Sequence, residues 1–206
     1  MEECIEAVPF FCDQVASSLN DGNTLDEEVA FGLDALFGGV NGARSFFLVY
    51  NSDPEWTMAD GLQPPALLLS AIDKACSAPG PTRFYAQTLL MNIAMPVAAA
   101  VNCEAAGKVP SEEYEAAMRS YRRAAILAGF IASAQQISRD ALPSVLCQES
   151  DAFGSALQAA LGAEGVTDRN WSGLIQAGGY DAGQLKAIAE AITFSSPKPA
   201  SQDPAA

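Results

Sequence analysis

The chain has 206 residues, half of them hydrophobic, with 25 acidic against 11 basic side chains and no histidine, for a net charge of −14. That length and apolar share suit one domain with a sizeable core. The missing imidazole excludes His-based acid–base catalysis, the Ser-His-Asp and Cys-His arrangements, and nearly all zinc, haem and non-haem iron sites.

Charge is unevenly placed. Residues 1–60 hold twelve acids and one base, Arg44, and so carry −11 of the −14. Such a field repels nucleic acid and anionic membrane and attracts a basic protein partner. Its plainer role is to keep the protein soluble. No basic segment precedes an apolar run near Met1, so no signal peptide is expected and the cytoplasm is the default. The five cysteines, Cys4, Cys12, Cys76, Cys103 and Cys147, are odd in number and widely spaced, which fits reduced thiols. On one helix Cys4 and Cys12 would lie about 12 Å apart, too far to bridge.

In chain order, residues 2–20 predict a first helix, with Pro9 in its first turn and Cys12, Val15 and Leu19 on one face. Asp21-Gly22-Asn23 stops it. Thr24 and Glu27 have capping-box spacing ahead of a second helix that carries Val29, Leu33, Leu36 and Phe37 to Gly38-Gly39. Ser45 to Tyr50 is aromatic and β-branched, as a strand would be, yet no second strand of comparable quality exists to pair with it. The segment therefore reads as a buried helix or an extended piece. Asn51 to Pro65 is a loop holding Trp56, and Ala66 to Cys76 is a short helix before the break at Ser77 to Pro81.

The longest pattern follows. Phe84 to Cys103 contains no charged residue, a run of 20. A membrane span needs that length. Gln87, Thr88, Asn92 and Asn102 interrupt the run and no aromatic belt flanks it, so a buried core helix is expected. Pro96 should kink or split it. Ser111, a good N-cap, opens a second run with Glu112, Glu113 and Glu115 in its first turn. That run reaches Leu142 without a proline, and Pro143 is expected to end it. Three short helices then start at aspartates: Asp151 to Leu161, Asp168 to Ala177 and Asp181 to Thr193. Gly178-Gly179 lacks the spacing of a dinucleotide fingerprint and reads as a turn. Ser70 and Lys74 lack the spacing of a Ser–Lys nucleophile.

These elements predict an all-α domain over residues 1–194: a helical bundle of about seven to nine helices around a long central antiparallel pair at 81–143. Residues 1–60 are its acidic helical part, and 195–206 form a Pro/Ser/Ala tail that is expected to be disordered. The leading functional reading is a non-enzymatic interaction protein: an adaptor, assembly factor or chaperone-like subunit. It would meet a basic partner through Asp26, Glu27, Glu28, Asp34, Asp53, Glu55 and Trp56. No cofactor, metal, membrane or direct nucleic-acid contact is expected, and the apolar hairpin would also suit a homodimer.

The alternative is a helical small-ligand-binding protein, or an unusual His-independent enzyme, with a pocket near the Pro96 kink. Asn92, Arg119, Tyr121, Arg122 and Arg123 are its candidate ligand or anion contacts. The plain reading of the arginines is internal: Glu115 lies four residues before Arg119, and the acidic first 60 residues could fold over this helix. A second alternative is an acidic nucleic-acid mimic or inhibitor.

Overall fold

The computed structural model describes residues 27–54, 57–60, 64, 66–76, 82–133, 141–164 and 168–193. All regular structure among them is helical, with no strand. The α-helices are α1 (Glu27–Phe37), α2 (Val40–Ser52), α3 (Ala66–Cys76), α4 (Thr82–Ala105), α5 (Glu112–Ser133), α6 (Ala141–Ala160), α7 (Arg169–Gly178) and α8 (Ala182–Ala191). A 3-10 turn, Thr57–Asp60, lies between α2 and α3. The expected helix at 2–20, Cys4, Cys12, Thr24 and the 195–206 tail lie outside the described residues.

The ambiguous Ser45 to Tyr50 segment is helix, in the middle of α2. Its composition favours a strand, but without a partner strand its backbone groups can be satisfied only within the segment. The α2 face carrying Phe46, Phe47 and Tyr50 is buried. Phe37, at the end of α1, packs its ring 5.3 Å from Phe46 and 5.4 Å from Phe47. The Tyr85 hydroxyl of α4 donates to the Phe37 carbonyl, which the helix end leaves without a partner. Gly42 lets α1 and α2 meet, since a Cβ there would collide with the Leu36 carbonyl.

Helix α4 packs against α2, α3, α5, α6 and α8. It is long and apolar enough to cross a membrane, and 56% of its most apolar window is buried inside the protein. Leu89, Leu90, Ile93 and Ala94 are fully buried there. The helix runs unbroken through Pro96. Because proline has no N–H, the Asn92 carbonyl four residues back loses its ordinary helical donor.

The second long run differs from expectation. Helix α5 does begin after Ser111, whose Oγ accepts from the Tyr114 amide at 3.2 Å. It ends at Ser133, however, and Pro143 does not terminate it. Leu142 and Pro143 sit in the first turn of α6 instead. A proline there costs nothing, because first-turn amides have no helical acceptor. Asp151, expected to cap a new helix, lies in the middle of α6 with its side chain exposed.

The other two aspartates do cap helices. Asp168 accepts from the Asn170 and Trp171 amides at 2.8 and 3.3 Å. Asp181 and Gln184 form a reciprocal capping box. Between α7 and α8, Gly179 takes a φ of 61°, a left-handed conformation that closes α7.

Candidate functional site

A half-open groove of about 480 Å³ lies beside α2 and α4. Helical spacing builds it. Arg44, Leu48 and Asn51 recur at three and four residues along one stripe of α2. Phe84, Thr88, Met91, Asn92 and Met95 do the same along α4. Ser120 of α5 and Leu174 of α7 also line it. Leu48, Met95 and Leu174 are 63%, 59% and 38% exposed, among the few large apolar side chains facing solvent. Its volume falls within the roughly 300–1,000 Å³ of ligand pockets.

Two asparagines of this lining, Asn51 and Asn92, are hydrogen-bonded to each other. Asn51 is only 2% exposed. Its Nδ2 donates to Asn92 Oδ1 at 3.4 Å, and Asn92 Nδ2 donates to the Thr88 carbonyl at 2.8 Å. The Thr88 carbonyl can only accept, so it fixes which end of the Asn92 amide is nitrogen. Asn92 Oδ1 in turn fixes the Asn51 amide. The Asn51 Oδ1 is left buried with no hydrogen-bond partner. With the Asn92 main-chain carbonyl freed by Pro96, two acceptors here lack their ordinary donors. Among the described residues the only charged side chain in the lining is Arg44, which is exposed and makes no ion pair with another described residue.

A second polar cluster sits behind Gln87, which also lines the groove. Glu149 of α6, 7% exposed, accepts from Gln87 Nε2 and Trp171 Nε1, each at 2.9 Å. Arg83 Nε pairs with its other oxygen at 2.7 Å, and Arg83 Nη2 reaches Asp168 at 2.9 Å. Trp171 stacks on Phe153 at 4.1 Å between ring centres. The Arg83 guanidinium, aided by the amides of Asn170 and Trp171, holds the Asp168 carboxyl below its ordinary pKa.

Of the described residues proposed from sequence as ligand or partner contacts, Asn92 is the one that lines the groove, beside Pro96. Arg123 is buried instead, with Nε and Nη2 on the two Asp60 oxygens at 2.8 and 3.1 Å and Nη1 donating to the Asp53 carbonyl. The hydrogen bond from Arg123 lowers the Asp60 pKa, and Arg119 and Arg122 add to the shift. Glu115 lies 4.0 Å from Arg122. The Arg119 Nε is buried without a partner. Tyr121 is half-buried against the core.

On the acidic side, Asp34 pairs with Lys74 at the edge of a smaller cavity of about 300 Å³. Asp53 caps the end of α2. Glu27 and Glu28 open α1, and their side chains, like Asp26, Glu55 and Trp56, lie outside the described residues.

Sequence reasoning missed Asn51, Arg44 and Glu149. For Asn51 a signal existed: it stands four residues after Phe47, on the apolar stripe of its own helix, where a polar amide needs a reason. Burial pushes the Cys76 thiol and the Tyr50 and Tyr85 phenols up to about 12. Among the described residues no group of three or more carboxylate or thiol ligands could hold a metal. The chain matches no family model, no curated protein and no solved structure.

Proposed function

We propose that this chain is a helical ligand-binding protein, with the groove beside Pro96 as its binding site. The observation that carries this reading is the buried Asn51 carbonyl oxygen without a donor. Leaving such a group unpaired costs about 1–3 kcal/mol, so a partner is expected there, a bound water or a ligand in the adjoining groove. The exposed Leu48 and Met95 side chains add apolar surface that a ligand would cover. The bundle is then read as ordered around α4 and α5 as a central antiparallel pair, with α2 laid across them to form the groove wall.

The test is a thermal-shift screen with apolar and amphipathic metabolites, run beside the double variant Leu48→Ser, Met95→Ser. Both side chains are mostly exposed, so the variant should fold normally. A ligand that stabilises the wild type and loses its effect in the variant supports the groove. Ligands that act equally on both would place binding elsewhere.

A second reading, an adaptor that meets a basic protein partner, is favoured by the −11 charge carried by residues 1–60. Reversing Asp26, Glu27 and Glu28 to lysine should then weaken a salt-sensitive capture. Capture that persists unchanged would count against it.

A further inference from the structure

The groove is selective in its polar chemistry, and we propose that it takes an elongated amphipathic carboxylate whose far end carries a hydroxyl donor. The head would pair with Arg44, the chain would lie along Leu48, Met91 and Met95, and the hydroxyl would meet Asn51. This rests on the ligand-binding reading of the same groove.

Three observations select this class. First, the chain as a whole is strongly acidic, yet among the described residues the groove lining contains no carboxylate and one cation. The general field would draw in cations, but it is screened within about 8 Å at physiological salt. At the site itself Arg44 decides, and its forked guanidinium matches a carboxylate. Second, the lining includes a residue with a buried acceptor in want of a donor, the Asn51 Oδ1. The orientation chain from Thr88 through Asn92 leaves the Asn51 oxygen, not its nitrogen, unpaired. The oxygen is closed to water as the groove stands, so a ligand hydroxyl reaches it only as neighbouring side chains shift, and a plain hydrocarbon end could not satisfy it at all. Third, Arg44 and Asn51 lie on one stripe of α2, seven residues and about 10 Å of helix apart. A ligand that reaches both must therefore be long, and the lining offers it apolar side chains, Leu48 on α2 and Met91 and Met95 on α4. Methionine thioethers adapt readily to a flexible chain.

The test is calorimetric titration of the full chain with four probes of equal length, below micelle-forming concentration: dodecanoate, ω-hydroxydodecanoate, dodecanol and dodecyltrimethylammonium. The expected order is hydroxy acid tightest, then the plain acid, with the quaternary ammonium weakest. Arg44→Gln should weaken both acids about tenfold or more and leave dodecanol unchanged. The comparison of the two acids on the wild-type chain needs no variant, so a misfolded mutant cannot rescue the proposal. If all four probes bind alike and Leu48→Ser, Met95→Ser abolishes them all, the proposed ligand class is wrong while the groove remains a binding site. If none binds, or binding ignores the groove variant, both readings fall.

Discussion

Two polar clusters meet α4 near Gln87, and they differ in how fully they are hydrogen-bonded. Around Glu149 every partner is accounted for: one carboxylate accepts from Gln87, Arg83 and the Trp171 indole. Around Asn51 the same kind of chain, amide to amide to carbonyl, ends in an oxygen with nothing to accept from. The first cluster joins three helices, α4, α6 and α7, and is complete without any ligand. The second lies beside an open groove and is incomplete. Saturation of hydrogen bonds thus separates a structural joint from a candidate binding site.

The comparison can be pushed hardest at Trp171. Trp171→Ala should destabilise the protein by about 3–5 kcal/mol, since a fully buried indole stacked on Phe153 is replaced by a cavity. Glu149→Ala should cost somewhat less, about 2–4 kcal/mol, because the buried Trp171 N–H loses its acceptor while the half-exposed Arg83 can rehydrate. Urea denaturation reads both, and a change under 1 kcal/mol in either would mean the joint is not saturated as described.

A smaller effect is expected from pH. Asp168 and Asp60 both have lowered pKa values in the folded chain, first through their bonds to Arg83 and Arg123. Their stabilisation is fully present above the ordinary carboxylate pKa of about 3.9. It is lost as the pH falls below that value through their lowered ones. Asp168→Asn should therefore flatten the acid limb of a melting-temperature profile and change little at neutral pH beyond the loss of the ion pair. An unchanged acid limb would detach Asp168 from the joint.

The smallest stability change is expected at Asn51. Asn51→Leu removes an amide that is poorly paired, at the cost of one long 3.4 Å bond to Asn92. Its stability should stay within about 1 kcal/mol of wild type, or rise. Strong destabilisation would mean that Asn51 has a structural partner after all, and the contrast with Glu149 would collapse.

Local chemistry explains what could be read beforehand. The caps at Ser111, Asp168 and Asp181 act within three residues, so their spacing announces them. Helical stripes likewise brought out α1, α3, α4 and the start of α5. Pro143 misled because a proline suits a first turn as well as it breaks an interior, and only the fold says which applies. That the acidic first 60 residues could fold over the arginines of α5 was legible, but the individual tertiary partners were out of reach. Arg123 finds Asp60 across 63 residues, and Asn51 finds Asn92 across 41. A pocket near Pro96 is one of the alternatives the sequence offers, because a proline inside a helix suggests a kink. Its opposite wall on α2 was not legible, since nothing local says which helix will face it.

The most direct test of the contrast is an NMR titration of the full chain with ω-hydroxydodecanoate, following side-chain N–H signals. The account predicts that the Asn51 and Asn92 amide signals shift in a saturable way while the Trp171 indole signal stays in place. Asparagine signals that never move, or a shift confined to Trp171, would contradict it.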